Sequence, residues 1–416
     1  MTDVHTPEAL AEPRTKVRGG WMTLLVLANI ALWLGIYAPI QVLLPKQAEL
    51  LDAADKVAIF SIVSAIGGVV ALIANPAVGL LSDRTCSRFG RRHPWTVIGA
   101  GVSVLGFVVL AVAPNVVVMT VGWCLVQGGL NGMLAALMSA LPDRVPVPQR
   151  AMVGGLVGIS QMLGTVLGAV VVVVVLDMAG VPTAYLVCAV VVVLGAAAFV
   201  LRTPDAPLPA EFRPRTDVAE ILRGLFTPLR HADFAWAWSC HFMINLGNAL
   251  GTLYLLFFLK DAVHYEDPES GLLVMMGLYA AALVVGALVT GHFSDKSGNR
   301  KPYVYVSSVV MAIAALILVF WPNWTASLIS APLLGVGFGM YMSVALAILT
   351  QVLPEAKDRA KDLGIINIAN SLPQVVATTA TVGILSLLGG YAGLFTASAV
   401  ATILAAVLIT RVKSVS

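Results

Sequence analysis

Apolar runs of about 20 residues alternate along the chain with short polar segments, and about 20 apolar residues is what one helix needs to cross a bilayer. Twelve such runs lie near 21–44, 57–81, 94–113, 116–141, 151–176, 183–201, 234–259, 271–291, 302–321, 324–351, 363–388 and 391–410. They predict an all-α membrane protein with twelve transmembrane helices. The longest polar connection, 202–233, contains Arg202, Pro204, Pro207, Pro209, Pro214 and Arg215 and separates six runs from six. Proline and charge at this density read as a linker between two bundles. The predicted organisation is a tail at 1–20, a six-helix bundle at 21–201, the linker at 202–233, a second six-helix bundle at 234–411 and a tail at 412–416.

The charges orient these runs. With both termini and the linker in the cytoplasm, all but Lys46, Lys56 and Lys260 of the 25 Lys and Arg residues fall on the inside, as the positive-inside rule asks. The location this implies is a bacterial cytoplasmic membrane. The first run is too long for a signal-peptide core and lacks a small-residue cleavage site, so it reads as an uncleaved span. Trp21, Trp95, Trp321 and Trp324 sit at run ends, where interfacial tryptophans are expected.

Composition agrees: 59% of residues are hydrophobic and 11% charged, against about 25% charged in a soluble domain. A net charge of +3, with its basic residues in short loops, offers no continuous face for nucleic acid. Cys86, Cys124, Cys188 and Cys240 form neither a CxxC pair nor a metal-ligand pattern with histidine, so reduced thiols and no metal are expected.

The chain repeats itself. Between the second and third runs stands Gly79-Leu-Leu-Ser-Asp83-Arg84-Thr-Cys-Ser-Arg88-Phe-Gly90-Arg91-Arg92-His-Pro94; between the eighth and ninth stands Gly291-His-Phe-Ser-Asp295-Lys296-Ser-Gly298-Asn-Arg300-Lys301-Pro302. Leu141-Pro142-Asp143 before the fifth run is likewise echoed by Leu353-Pro354-Glu355 before the eleventh. A basic loop alone is a weak signal, but two copies at equivalent places in two halves are a strong one.

These loops resemble the signature of the major facilitator superfamily, Gly-x-x-x-Asp-Arg/Lys-x-Gly-Arg/Lys-Arg/Lys, and the resemblance covers about 21–411. The extended form of the first loop is most similar to the glycoside-pentoside-hexuronide and sucrose-transporter branches. The resemblance implies two bundles built from inverted three-helix repeats around a central site, working as a monomer without a cofactor. It also implies conformational roles for Gly79, Asp83, Arg84, Gly90, Arg91 and Arg92 and for Gly291, Asp295, Lys296, Gly298 and Arg300. Asp83 would face the start of the eleventh span and Asp295 the start of the fifth, where an anion is favoured by about 0.3–1 kcal/mol. The plain alternative is a carboxylate balancing nearby arginines. Two departures weigh against simple proton-driven antiport. Cys124-Leu-Val-Gln127-Gly128 replaces Arg-x-x-Gln-Gly on the fourth span, and Gly164-Thr165-Val-Leu-Gly168 lacks the Gly-Pro pair of the fifth-span efflux signature.

Polar side chains inside spans are costly to face lipid, and here they fall into stripes: Asn29, Trp33, Tyr37 and Gln41 on the first span; Trp123, Gln127 and Asn131 on the fourth; His241, Asn245 and Asn248 on the seventh; Asn367, Asn370 and Gln374 on the eleventh. Such a stripe either joins helices, at about 0.6–2 kcal/mol per hydrogen bond, or lines a cavity. The family places the first, fourth and seventh spans around the central path, so Asn29, Trp33, Tyr37, Gln127, Asn131, Asn245 and Asn248 are the primary substrate-binding candidates, with Asn367, Asn370 and Gln374 the second set. His241 is the only imidazole well inside a span, and with Glu49 and Asp177 at the rims it makes up the candidate protonation sites for a proton-coupled carrier; sodium is the other possible coupling ion.

Amides and aromatic rings without a buried charge suit a small, uncharged polar solute such as a sugar or glycoside. Efflux of amphipathic drugs or natural products is the alternative, and a non-transporting receptor on the same scaffold is disfavoured because no large extramembrane domain exists. No nucleophile with its base, metal set or phosphate loop is assembled, so no enzyme is expected.

Overall fold

The computed structural model describes residues 7, 9, 12–213, 227–352 and 359–413, except for the side chains of 151, 227–228, 295, 346–347, 350–351 and 359–367. Pro214, Arg215, Leu353, Pro354, Glu355 and the side chains of Asp295 and Asn367 therefore lie outside the described residues. The chain divides into two compact units, Met1–Arg215 and Thr216–Ser416.

The first unit holds α1 (Gly19–Ala38), α2 (Leu44–Leu51), α3 (Lys56–Asp83), α4 (His93–Ala111), α5 (Val116–Arg144) and α6 (Val147–Arg202). The second holds α7 (Ala232–Thr252), α8 (Leu255–Asp261), α9 (Pro268–Ser297), α10 (Lys301–Phe320), α11 (Trp324–Gln351), α12 (Arg359–Leu387) and α13 (Tyr391–Ile409).

Eleven helices among the described residues are long and apolar enough to span a membrane. The two expected spans at 151–176 and 183–201 are merged in α6, whose 56 residues would reach about 84 Å at about 1.5 Å each, more than two bilayer crossings. Gly180, at φ +77° and ψ 178°, breaks this run into two helices, a backbone state that glycine adopts without a Cβ penalty.

The first span also runs further than its apolar stretch. Pro39 lacks an N–H, and a five-residue π-turn, Pro39–Leu43, absorbs the lost bond and carries α1 into α2. Lys46 and Glu49 thus stand on a helix. Gln47 is buried there, donating to the Leu110 carbonyl (2.8 Å) and accepting from Tyr185 Oη (2.8 Å). Trp21, expected at an interface, is instead buried, edge-on to Phe199.

Small residues allow close packing within each unit, which is the main cohesive device between helices in lipid. In the first unit α4 lies on α5, with Gly99 against the Gly129 carbonyl and Gly106 against the Gly122 carbonyl. In the second, α11 lies on α9, with Gly335 against the Tyr279 carbonyl and Gly339 against that of Leu283. A buried core of Phe234, Cys240, Ile244, Met311, Tyr341 and Ile348 joins α7, α10 and α11. Large apolar side chains such as Leu288, Val285 and Leu404 remain exposed, as lipid-facing positions require.

Candidate functional site

At one end of the first unit, the 83–93 loop closes a charge network around Arg92, which is only 4% exposed. Arg92 Nη2 lies 2.7 Å from Asp83 Oδ1 and its Nε 2.7 Å from Asp143 Oδ2, while its Nη1 donates to Ser82 Oγ. Burial opposes the charge on Arg92, but the hydrogen bond and attraction of Asp143, and then those of Asp83, outweigh it and hold the guanidinium pKa above its usual value. Arg91 reaches Asp83 Oδ1 at 3.2 Å and donates to the Ala9 carbonyl. Asp83, Arg91, Arg92, Asp143, Arg150 and Glu12 are among the residues lining a cavity of about 440 Å³ here.

Asp205, beyond the end of α6, completes this region. Its Oδ2 accepts from the backbone N–H groups of Arg92 (2.6 Å) and His93 (2.8 Å) at the start of α4. That carboxylate satisfies donors that a helix start leaves unpaired. His93 Nε2 bonds Thr203 Oγ1 at 3.1 Å, so the segment after α6 is tied to α4 at a second point. Gly90, at φ +96°, lies directly beneath Asp205.

The second loop is built differently. Gly298, at φ +70°, ends α9 as a left-handed C-cap, its N–H bonding the Ser294 carbonyl. Lys296 is exposed, Arg300 precedes α10, and the Asp295 side chain is not described. Gly79 and Gly291 face open space within their own units, with no atom nearer than 4.0 Å to an added Cβ.

The amide and aromatic stripes gather neighbours of their own. On α1, Trp33 and Tyr37 stack with ring centroids 5.7 Å apart, and Gln161 from α6 donates to Tyr37 Oη at 3.3 Å. Asn29 is fully buried and, among the described residues, donates only to Leu25 O, one turn back, while its Oδ1 and Trp33 Nε1 are buried with no partner among them. On α5, Asn131 Nδ2 donates to Gln127 Oε1 and to the Gln127 carbonyl, each at 3.0 Å. Asn75 from α3 donates to the Asn131 carbonyl (3.4 Å), and Trp123 and Gln127 lie over Gly67 of α3.

In the second unit, His241 joins three helices. Its Nδ1 lies 2.6 Å from Tyr341 Oη on α11 and its Nε2 2.7 Å from Asn370 Oδ1 on α12. Asn245 donates to the His241 carbonyl at 2.8 Å, and Asn248 Oδ1 accepts from Tyr279 Oη at 2.9 Å. Trp238 and Phe242 stack beside them, 5.6 Å apart. Gln374 is half-buried one turn beyond Asn370, Glu49 is half-buried and Asp177 is exposed.

Gln127 with Asn131, and His241 with Asn245 and Asn370, are thus brought together within their units, whereas among the described residues Asn29 bonds only its own helix. Asn75, Gln161, Tyr279, Tyr341 and Asp205 join these groups although no stripe pointed to them. Asn75 and Gln161 carried the same signal as the others, an amide inside an apolar run, but each stands alone on its helix face. Tyrosines are common enough in spans to hide, and Asp205 sits in what reads as a linker.

Uncharged polar faces within membrane-length helices, with an ion-pair network at one connecting loop, are the features of a multi-pass membrane carrier. The chain belongs to the Major Facilitator Superfamily, whose model matches residues 25–277 and 237–415, and it is a transporter of that family. It is 32% identical over 139 residues to the multidrug resistance protein MdtL of Salmonella paratyphi C (strain RKS4594), and 31% identical over the same length to that of Salmonella typhi. These matches take in 33% of this chain, and the chain spans 35% of the length of either relative. Among solved structures, a peptide transporter POT in complex with sulfate superposes with a TM-score of 0.76 at 14% identity, covering 97% of this chain and 96% of that one. A mutant of that transporter in complex with alafosfalin gives 0.73 at 15% identity over 94% and 93% of the two chains. At such identity the likeness speaks for the fold.

Proposed function

We propose that the protein carries a small, uncharged, hydrogen-bonding solute across a bacterial cytoplasmic membrane by alternating access, with both termini and the 202–233 segment in the cytoplasm. The observation that carries this reading is the pairing, in each unit, of a stacked aromatic couple with side-chain amides. In the first unit Trp33 and Tyr37 stack with the Gln161 amide on Tyr37 Oη, and in the second Trp238 and Phe242 stack one turn from Asn245 on the same helix. Rings take the apolar face of a sugar-like solute and amides take its hydroxyls, as ligand sites with few placed polar groups do. The unpartnered Trp33 Nε1 and Asn29 Oδ1 supply one donor and one acceptor more. The stretches 21–44, 116–141 and 234–259 carry no Lys, Arg, Asp or Glu, which favours an uncharged cargo. On this reading the Arg92 network holds the end of the first unit during the cycle, Asp83 favours the state closed to the cytoplasm, and the carrier works as a monomer coupled to an ion.

The second reading is efflux of amphipathic compounds, favoured by the 139-residue similarity to MdtL; the same rings and amides serve such a cargo. A thermal-shift screen of purified protein against mono- and disaccharides, glycosides and neutral or cationic amphipaths separates the two. A solute at about 100 times its Kd adds about 2.7 kcal/mol of stability. Stabilisation by sugars supports the first reading, stabilisation by amphipaths alone replaces it with the second, and a response to neither class overturns both.

A further inference from the structure

We infer that His241 is a proton-binding site of this protein, with Tyr341 and Asn370 as its positioning residues; as the site of a coupling ion it rests on the carrier reading above. The inference starts from what each partner can do. Asn370 Oδ1 only accepts, so His241 Nε2, 2.7 Å away, carries a hydrogen. In the neutral ring Nδ1 is then an acceptor, and Tyr341 Oη at 2.6 Å donates to it.

A second proton adds to the Nδ1 lone pair. Tyr341 meets it by turning its hydroxyl hydrogen away and accepting instead, because a phenol does both. No heavy atom moves and no donor is left unpaired, so the triad holds the ring in either charge state. A site that only joined helices would need neither a group able to change charge nor a partner able to reverse its hydrogen bond.

The groups facing His241 explain when the proton is held. Tyr341 faces it from α11, Asn370 from α12, and Asn245 from its own helix; Cys240 adjoins it in the chain. Asp233, whose Oδ1 accepts from the Lys413 backbone N–H, is two turns away along α7. No described carboxylate opposes the ring, and a buried cation without one is costly. Water must take that part. His241 is 3% exposed, whereas Asn370 is exposed, so the α12 side is where water reaches the ring. Proton uptake is thereby tied to entry of water beside Asn370, and proton release to its exclusion.

The test follows the imidazole itself, in nitrogen-15 histidine-labelled protein in detergent, with the His241 signal assigned by its loss in His241→Gln. The expected signal is an Nε2–H neutral ring that becomes doubly protonated as pH falls from about 8 to about 4, a range that brackets the ordinary histidine value of about 6.5. Tyr341→Phe, which removes the acceptor for Nδ1–H, is expected to weaken proton binding roughly tenfold, and Asn370→Asp, which opposes a carboxylate to Nε2, to strengthen it at least as much. If His241→Gln fails to fold, the signal moved by Asn370→Asp makes the assignment. A ring that does not titrate, or one indifferent to Tyr341→Phe, overturns the site. With the four native cysteines replaced, a thiol at Gln374→Cys is expected to label several-fold faster at low pH, with the same midpoint as the ring. A pH-independent rate beside a titrating ring overturns the link to water entry. None of these readouts uses a solute. A titrating His241 in a protein that answers no compound in the thermal screen would keep the site and lose the carrier reading; a silent His241 beside a sugar response would do the reverse.

Discussion

The Asp205 carboxylate occupies the space that a side chain on Gly90 would need, and from there it accepts the backbone N–H groups of Arg92 and His93. Gly90 is therefore required twice, by its φ of +96° and by its neighbour.

Gly90→Ala is expected to destabilise the protein by roughly 1–3 kcal/mol for the strained backbone, and further for the collision. Asp205→Ala should cost about 1 kcal/mol, the worth of a helix cap. Because Asp205→Ala removes the two nearest colliding atoms but keeps its Cβ in the way, the double variant should lose somewhat less than the sum. Thermal unfolding in detergent measures all three, and strict additivity would mean the two residues do not meet.

Arg92→Met leaves Asp83 and Asp143 without their shared cation. Their side chains are 47% and 26% exposed, so the cost should lie between the roughly 1 kcal/mol of a surface pair and the roughly 3–5 kcal/mol of breaking a buried one. Adding Asp143→Asn should recover part of it. Since the Arg92 pKa is held above its ordinary value, raising pH to 10 should not reproduce the loss; a stability drop there comparable to Arg92→Met would contradict the assigned ion pairs.

Gln127→Ala and Asn131→Ala should each weaken solute binding by roughly 1–2 kcal/mol, the range for a hydrogen bond whose partner is left unpaired. Affinity and melting temperature measured on the same purified variants decide the matter. Unchanged affinity with lowered stability would assign the pair to helix packing and move the site to Asn370 and Gln374.

Reporter fusions at Ser416 and near Pro209 should both read cytoplasmic, because that placement leaves only Lys46, Lys56 and Lys260 of the basic residues outside. A periplasmic signal from either would reverse the orientation.

The helices were legible because span length is set by the bilayer and each apolar run reports it directly. The exceptions are local backbone effects. Hydropathy ends the first span near Leu44, yet a π-turn at Pro39 carries the helix to Leu51; hydropathy separates the fifth and sixth spans between 176 and 183, and the break at Gly180 falls there, but as a kink without a loop. The repeated loop announced Asp83, Arg91 and Arg92 but not Asp143 or Asp205 as their partners, because those contacts span 51 to 113 positions of chain. Likewise the α7 stripe is visible as a period, while Tyr341, 100 positions on, meets His241 only through packing.

The glycine seams described for the two units carry a history. Matching the halves on Gly79 with Gly291, and on Leu141 with Leu353, sets Gly67 beside Tyr279 and Trp123 beside Gly335. In the first half the glycine is on α3 and meets the Trp123 ring of α5; in the second the glycine is on α11 and meets the Tyr279 backbone of α9. The small residue has changed helices across equivalent seams. Copying α5 into the place of α11 would set the Trp123 side chain against the Tyr279 backbone, where Gly335 leaves no room for one. The duplicated halves have drifted past the point of interchange. A tandem of two first halves would keep the Gln127 and Asn131 amides twice and lose the Tyr279 hydroxyl that Asn248 accepts from, so each half now holds a chemistry the other can no longer supply.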